Sequence, residues 1–184
     1  VGKKVNLKLK VILTDGSQPI GNGIGRVLEM LDVLKILNRA NPPKDLEKKA
    51  LYLAGQILEM VGKTKKGKGL QMAKEILESK KALQKFNEII AAQGKKENVL
   101  IPAKYKHEIK SEKDQTIKRI HNKELSYLAK ILGCPASHSS GIYLHKHVGE
   151  KVKKGEHLLT LYSDTERKLK AGVDYLKESK PISF

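Results

Sequence analysis

Apolar residues at alternate positions open the chain: Val5, Leu7, Leu9, Val11 and Leu13 are interleaved with Lys8, Lys10 and other polar residues, and the run becomes continuously apolar at Val11-Ile12-Leu13. A period of two predicts a strand, and the apolar run predicts that its C-terminal end is buried. Gly21, Gly23 and Gly25 follow, and then Ile24, Val27, Leu28, Leu31, Leu34 and Leu37 recur at helical spacing up to Ala40, where Pro42-Pro43 ends the pattern. The unit is strand, glycine turn, helix. A second helix carries Leu46, Ala50, Leu53, Ala54, Ile57, Leu58 and Val61 and stops at Gly62; Leu70, Ala73, Ile76 and Leu77 predict a third, and Leu83, Phe86, Ile89 and Ile90 a fourth, closed by Gly94. One strand and four amphipathic helices cannot cover all their apolar faces on one another. Residues 1–94 therefore read as the C-terminal part of a larger α/β domain.

After Gly94 and the polar stretch Lys95-Lys96-Glu97-Asn98 the period changes. Val99, Ile101, Ala103 and Tyr105 alternate as a strand, Thr116–Ile120 predicts another, and Leu125, Leu128, Ala129 and Leu132 predict a helix ended by Gly133. Further on, Ile142, Leu144, Val148, Val152, Leu158, Leu159, Leu161 and Tyr162 are punctuated by turns at Gly149 and Gly155, and a last helix is predicted from Thr165 to Ser179 with Leu169, Val173 and Leu176 inward. Residues 95–184 thus form a second, α+β domain. Val148-Gly-Glu-x-Val152-x-x-Gly155-x-x-Leu158 resembles the half-motif of biotinyl and lipoyl domains, which implies a barrel-sandwich hybrid. The Asp-Lys and Met-Lys-Met attachment turns are missing, so covalent cofactor carriage is not expected. A non-catalytic binding or carrier module is nonetheless the alternative reading of this half.

Composition changes the picture in three places. No run of 18 apolar residues exists, so no membrane span is expected. The single cysteine, Cys134, cannot form an intrachain disulfide and fits a reducing, cytoplasmic setting. The net charge of +17 divides into +10 over residues 1–99 and +7 over residues 100–184. It is spread along the chain, and its densest patch, Lys63, Lys65, Lys66 and Lys68, has no interleaved aromatic residue. That argues for a solvated lysine-rich surface, which can steer anionic nucleotides and phosphate, and against a specific nucleic-acid partner.

Candidate chemistry concentrates at the glycine turn. A strand, a glycine turn and a helix start invite phosphate, but Arg26 stands where the dinucleotide pattern needs glycine, and no Gly-Lys-Ser/Thr follows. Asp15 and Ser17 are of the types that brace a turn through short bonds to backbone. His145-x-His147, with His138 and His157 near in sequence, could gather around a transition metal, but no cysteine or carboxylate completes a familiar ligand set. Hydrogen-bonding histidines are the expectation, and Cys134 is not expected to be a nucleophile.

Thr14-Asp15-Gly16-Ser17-Gln18-Pro19-Ile20-Gly21 resembles the Thr-Asp-x-Ser-Gln-Pro-Leu/Ile-Gly signature of the thymidine and pyrimidine-nucleoside phosphorylase family, and Gly16 is similar to the archaeal AMP phosphorylase branch, where bacterial members carry Met. The resemblance continues through Leu28-Glu29, Asp32-Val33-Leu34, Asp45 to Gly62, Ser79 to Phe86 and Ala91-Ala92-Gln93-Gly94, with Lys81 and Lys95 replacing two glycines, and through Leu128-Ala129-Lys130, Gly133-Cys134-Pro135-Ala136, Gly141-Ile142 and Leu144 to Tyr162. It implies phosphorolysis of a nucleoside or nucleoside monophosphate to free base and ribose 1-phosphate or ribose 1,5-bisphosphate, by an enzyme that is homo-oligomeric when full length. It also places the family's phosphate loop and its base and sugar contacts before the signature, so that no catalytic residue maps onto this chain and the fragment alone is expected to be inactive. No cofactor is required. The one ion implied is a monovalent cation such as potassium, held by main-chain oxygens at Ile20 and Gly23 and by the carboxylate of Asp32, or else Asp32 is a solvated or salt-bridged residue of its helix.

Overall fold

A computed structural model describes residue 4, residues 7–94 and residues 100–184. Four helices come first, α1 (Arg26–Asn38), α2 (Lys44–Met60), α3 (Gly69–Glu78) and α4 (Lys81–Ala92), preceded by the two-residue strand β1 (Gly23–Ile24). Then follow β2 (Tyr105–Lys110), β3 (Gln115–Thr116), β4 (Arg119–Ile120), α5 (Asn122–Leu132), β5 (Gly141–Leu144), β6 (Lys151–Val152), β7 (His157–Ser163), α6 (Glu166–Ser179) and β8 (Ile182–Ser183). The fold is α+β, with six helices and only antiparallel strand pairs among the described residues.

The main sheet has the order β1-β5-β7-β2, and two small ladders, β3-β6 and β4-β8, stand beside it. β7 is central: Leu158 to Leu161 are all buried, so the strand reads as an apolar run with one polar interruption, Thr160. α5 and α6 pack on each other and on this sheet. Leu125, Leu128, Ala129 and Leu132 put one face of α5 into the core, and Gly133, at φ 125°, ends the helix in a conformation other residues rarely adopt. α6 starts at Thr165, whose side chain accepts the N–H of Lys168 at 3.3 Å. The core joins Ile117, Ile120, Leu125, Leu128, Leu132, Ile142, Leu144, Val152, Leu159 and Leu161, all within the later half of the chain.

The helices form where the periodicity places them, but three strand expectations need correction. Residues 7–13 make no strand: Leu7, Leu9, Val11 and Leu13 are 62, 69, 77 and 95% exposed, while Val5 lies outside the described residues. An extended segment becomes a strand only when a neighbour pairs its N–H and C=O groups, and no described strand lies beside it. It runs along α2 instead, with the Lys8 ammonium donating to Met60 O at 3.0 Å and Lys10 reaching Gln56. The strand expected from Val99 starts only at Tyr105, because β7 ends where Tyr105 meets Ser163; Val99 and the polar stretch 95–98 lie outside the described residues. Thr116–Ile120 is split, since Ile117 N–H bonds Glu150 O while Lys118 N–H bonds Ser183 O, so the chain crosses from one small ladder to the other. β8 had no sequence signal at all.

Candidate functional site

The segment from Thr14 to Asn22, which leads into β1, is held without regular structure by side chains from several elements. Asp15 Oδ1 accepts the Ser17 N–H at 2.9 Å, a local turn bond that, as its largest cause, lowers the Asp15 pKa below the ordinary carboxylate value. Two bonds then fasten the segment to the later half: Val148 N–H donates to Gln18 Oε1 at 2.8 Å, and Asn122 Nδ2 donates to Gly16 O at 2.9 Å. Beside them opens a cavity of about 440 Å³, bordered by Thr14, Asp15, Gln18, Asp45, Lys49 and Tyr52.

The glycine turn itself is organised by carboxylates. Gly21 N–H donates to Asp45 Oδ2 at 3.0 Å, and Gly25 N–H to Glu29 Oε1 at 3.0 Å. Asp32, 1% exposed on α1, receives the N–H groups of both Asn22 and Gly23 on its Oδ2, each at 2.7 Å. Val27 N–H, in the first turn of α1, is taken by His138 O at 3.1 Å. The N–H groups of Gly21, Asn22, Gly23, Gly25 and Val27, which could otherwise cradle a phosphate at this turn, are therefore engaged by the protein's own oxygens. Gly23 must be glycine here, because a Cβ would stand 2.4 Å from the backbone carbon of Leu28.

On the other oxygen of Asp32 sits a cation. The Lys35 ammonium lies 3.3 Å from Asp32 Oδ1, donates to the Tyr143 hydroxyl at 2.9 Å and stands 4.8 Å from the centre of that ring. Burial pulls the Lys35 pKa down, but Tyr143 and then Asp32 outweigh it, and the ammonium titrates above the usual lysine value. Asn22 Nδ2 donates to the same Tyr143 hydroxyl at 3.1 Å, and Asn22 Oδ1 pairs with His147 Nε2 at 3.0 Å. The network continues into the sheet, where Gly23 faces Tyr143 and Leu144 N–H bonds Asn22 O at 2.7 Å. Lys35, Asn22 and Tyr143 were not anticipated. The (i, i+3) spacing of Asp32 and Lys35 was the available signal; the partner 108 residues from Lys35 had none.

The histidines separate into different roles. His145 Nε2 pairs with Thr160 Oγ1 at 2.9 Å, its ring lies 5.0 Å from Tyr143 and 5.4 Å from His157, and burial, then the charge of His157, holds its pKa below the ordinary imidazole value. His147 turns to Asn22, and His138 Nε2 contacts Arg26 at 2.5 Å. No group of three or more His, Cys, Asp or Glu suited to a metal occurs among the described residues. The Cys134 thiol donates to Ser140 O at 3.1 Å, and burial raises its pKa, which keeps it protonated. The Lys153-Lys154 turn joins β6 and β7, which pair with β3 and with β2 and β5 rather than with each other, so the lysines do not crown a hairpin.

The residues foreseen for a monovalent cation can now be tested against this geometry. Asp32 is salt-bridged and buried, Gly23 presents its N–H to the carboxylate, and Ile20 is 37% exposed. With two N–H donors on one oxygen and an ammonium on the other, the carboxylate leaves an alkali cation nowhere to bind without displacing Lys35. The Asp32 carboxylate is thus already served by the chain's own donors.

Residues 116–183 match the family model described as the pyrimidine nucleoside phosphorylase C-terminal domain. Over 183 residues, 99% of this chain and 35% of the relative, the chain is 43% identical to the "Putative thymidine phosphorylase" of Legionella pneumophila strain Corby. It is 40% identical over 187 residues, 99% of this chain and 37% of the relative, to the "AMP phosphorylase" of Methanococcus aeolicus. The class is thus that of the pyrimidine nucleoside phosphorylase C-terminal domain, an α+β unit fastened to a glycine turn. The chain belongs, as its C-terminal part, to the thymidine and pyrimidine-nucleoside phosphorylase family. It spans about a third of the length of these relatives.

Proposed function

We propose that this chain is the C-terminal part of a phosphorylase that cleaves AMP, another nucleoside monophosphate or a nucleoside with inorganic phosphate. The observation that carries the reading is identity of about 40% along the whole chain to proteins named for thymidine and AMP phosphorylysis. In such a reaction phosphate attacks the anomeric carbon while the bond to the base breaks, so positive charge grows on the sugar and negative charge on the leaving base. Anionic phosphate and a proton delivered to the base are what lower that barrier. This chain's part is that of scaffold and cleft wall: it fixes the end of the signature through Asp45 and the glycine turn after it through Asp32 and Glu29, and borders the cavity beside them. Its single cysteine and its nucleotide chemistry accord with a cytoplasmic enzyme, the family resemblance with a homo-oligomer when full length, and its spread charge with no specific nucleic-acid partner.

Catalysis by positioning fails when most contacting groups are absent, since well-oriented reactants are worth roughly 7–11 kcal/mol of barrier. The 184-residue chain is therefore expected to release no base from AMP, CMP, uridine or thymidine in phosphate buffer. The same chain joined to the missing N-terminal portion of a relative such as the Methanococcus aeolicus protein is expected to release base only when phosphate is present. Release by the chain alone at a rate near that of the joined protein would overturn the scaffold reading. Phosphate-independent behaviour of the joined protein would overturn the phosphorylase reading.

A further inference from the structure

The Asp32 carboxylate is placed where a cation is expected, and the one it meets is covalently part of the chain. Its Oδ2 carries the N–H groups of Asn22 and Gly23 at 2.7 Å, so that oxygen faces donors and cannot ligate a metal from the same side. Its Oδ1 faces the Lys35 ammonium at 3.3 Å. That ammonium has further partners suited to a monovalent cation, the Tyr143 hydroxyl at 2.9 Å and the Tyr143 ring at 4.8 Å. Tyr143 is in turn fixed by Asn22 Nδ2 at 3.1 Å and by its place opposite Gly23 in the β1-β5 ladder. Hard alkali cations need several oxygen ligands. Here Asp32 Oδ1 and the phenol hydroxyl both meet one ammonium, and the backbone groups that meet the other carboxylate oxygen, those of Asn22 and Gly23, offer hydrogens.

The geometry points to Lys35 as a built-in counter-ion that takes the place of an inorganic monovalent cation at Asp32, so that the glycine turn is locked to β5 without potassium. The arrangement makes the turn independent of ionic composition. It also ties the turn's position to Tyr143 in the later half of the chain, since the ammonium bridges Asp32 of α1 and Tyr143 of β5.

The test is urea unfolding of the 184-residue chain in potassium, sodium and tetramethylammonium chloride at one ionic strength. The unmodified chain is expected to give the same unfolding equilibrium constant, within a factor of two, in all three salts. A site that bound potassium in the native state alone would change that constant by about 100-fold once the salt reached a hundred times its dissociation constant, and a saturable change of that kind would overturn the inference. Lys35→Met is expected to be less stable in tetramethylammonium chloride and to recover part of the loss with potassium; Lys35→Arg is expected to remain insensitive to potassium. If Lys35→Met were as stable as the unmodified chain and equally indifferent to potassium, the lysine would be a solvated surface residue and the inference would fail. Should Lys35→Met not fold, calorimetric titration of the unmodified chain with thallium(I) decides instead, with no saturable heat expected and a saturable one overturning it.

Discussion

Replacing Asp32 with alanine would leave the N–H groups of Asn22 and Gly23 without their shared acceptor at a carboxylate that is only 1% exposed. Each donor stranded in this way costs about 1–3 kcal/mol, so Asp32→Ala is expected to lower the unfolding free energy by up to the sum of two such losses, read as a lower urea midpoint. Asp32→Asn keeps one acceptor oxygen and gives up the ion pair, and its midpoint is expected to fall between the two. Equal midpoints for Ala and Asn would show that the charge, not the acceptor, holds the turn. His145 gives a second expectation at this scale. Burial first, then His157 and Lys35, depress its folded pKa below 6.5, while Glu108 acts the other way. The unfolded state therefore binds the extra proton first, and stability contributed by neutral His145 is present above about pH 6.5 and is lost as the pH falls through the depressed folded value. The slope of stability against pH just below 6.5 is expected to shrink in His145→Gln; an unchanged slope would refute this. Asp32 could be singled out from the sequence as a polar position between Leu31 and Val33, yet its neighbours could not. A partner such as Tyr143 is chosen by tertiary pairing of β1 with β5, which no local pattern encodes.

At the scale of elements, helices were legible and strands only partly so. The spacing of apolar residues, Pro42-Pro43, Gly62 and Gly133 mark helix ends to within a residue or two, because those signals act through the local backbone. A strand depends on what lies beside it. The alternating segment 7–13 has the sequence of a strand and no strand beside it among the described residues, whereas Gly23-Ile24 has the sequence of a turn and is an edge strand of the main sheet. Tight packing explains that choice. With no side chain, Gly23 lets β1 approach the backbone of α1, where a Cβ would meet Leu28 C at 2.4 Å and Leu28 O at 2.5 Å. Gly23→Ala must push β1 from α1 or from β5, and overpacking of this kind costs about 1–3 kcal/mol. Its melting temperature is expected to fall, with protection from hydrogen exchange lost first at Ile24 and Ile142, the next pair of the ladder. A variant as stable as the parent would mean that the turn tolerates a shift the geometry does not allow for.

Across the whole molecule two surface properties oppose each other. The charge of +17 keeps copies apart, and a set of large apolar side chains invites them together. Val11 and Leu13 are 77 and 95% exposed, and Ile57 on α2 and Val61 just past its C-terminal end are 56 and 58% exposed. Lys8 and Lys10 fasten the early segment to Met60 and Gln56 of α2, so the two sets of exposed apolar groups belong to segments that lie side by side. This is the face that the amphipathic pattern of the first half left without a partner, and in the sequence it was legible as an excess of apolar helix surface over anything able to cover it. Repulsion between like-charged chains is screened over about 10 Å at 0.1 M salt and over about 3 Å at 1 M, whereas apolar contact does not weaken with salt. The chain is therefore expected to sediment near its 20.5 kDa mass in dilute buffer and to associate, with a concentration-dependent mass, as salt rises. Leu13→Lys with Ile57→Lys should restore the monomer at high salt and leave the unfolding free energy within about 0.5 kcal/mol of the parent, as is usual for exposed positions away from packed or capped sites. Sedimentation velocity over a series of salt and protein concentrations measures this directly. Association that weakens with salt, or that survives the double substitution, would mean that charge or another face brings the copies together.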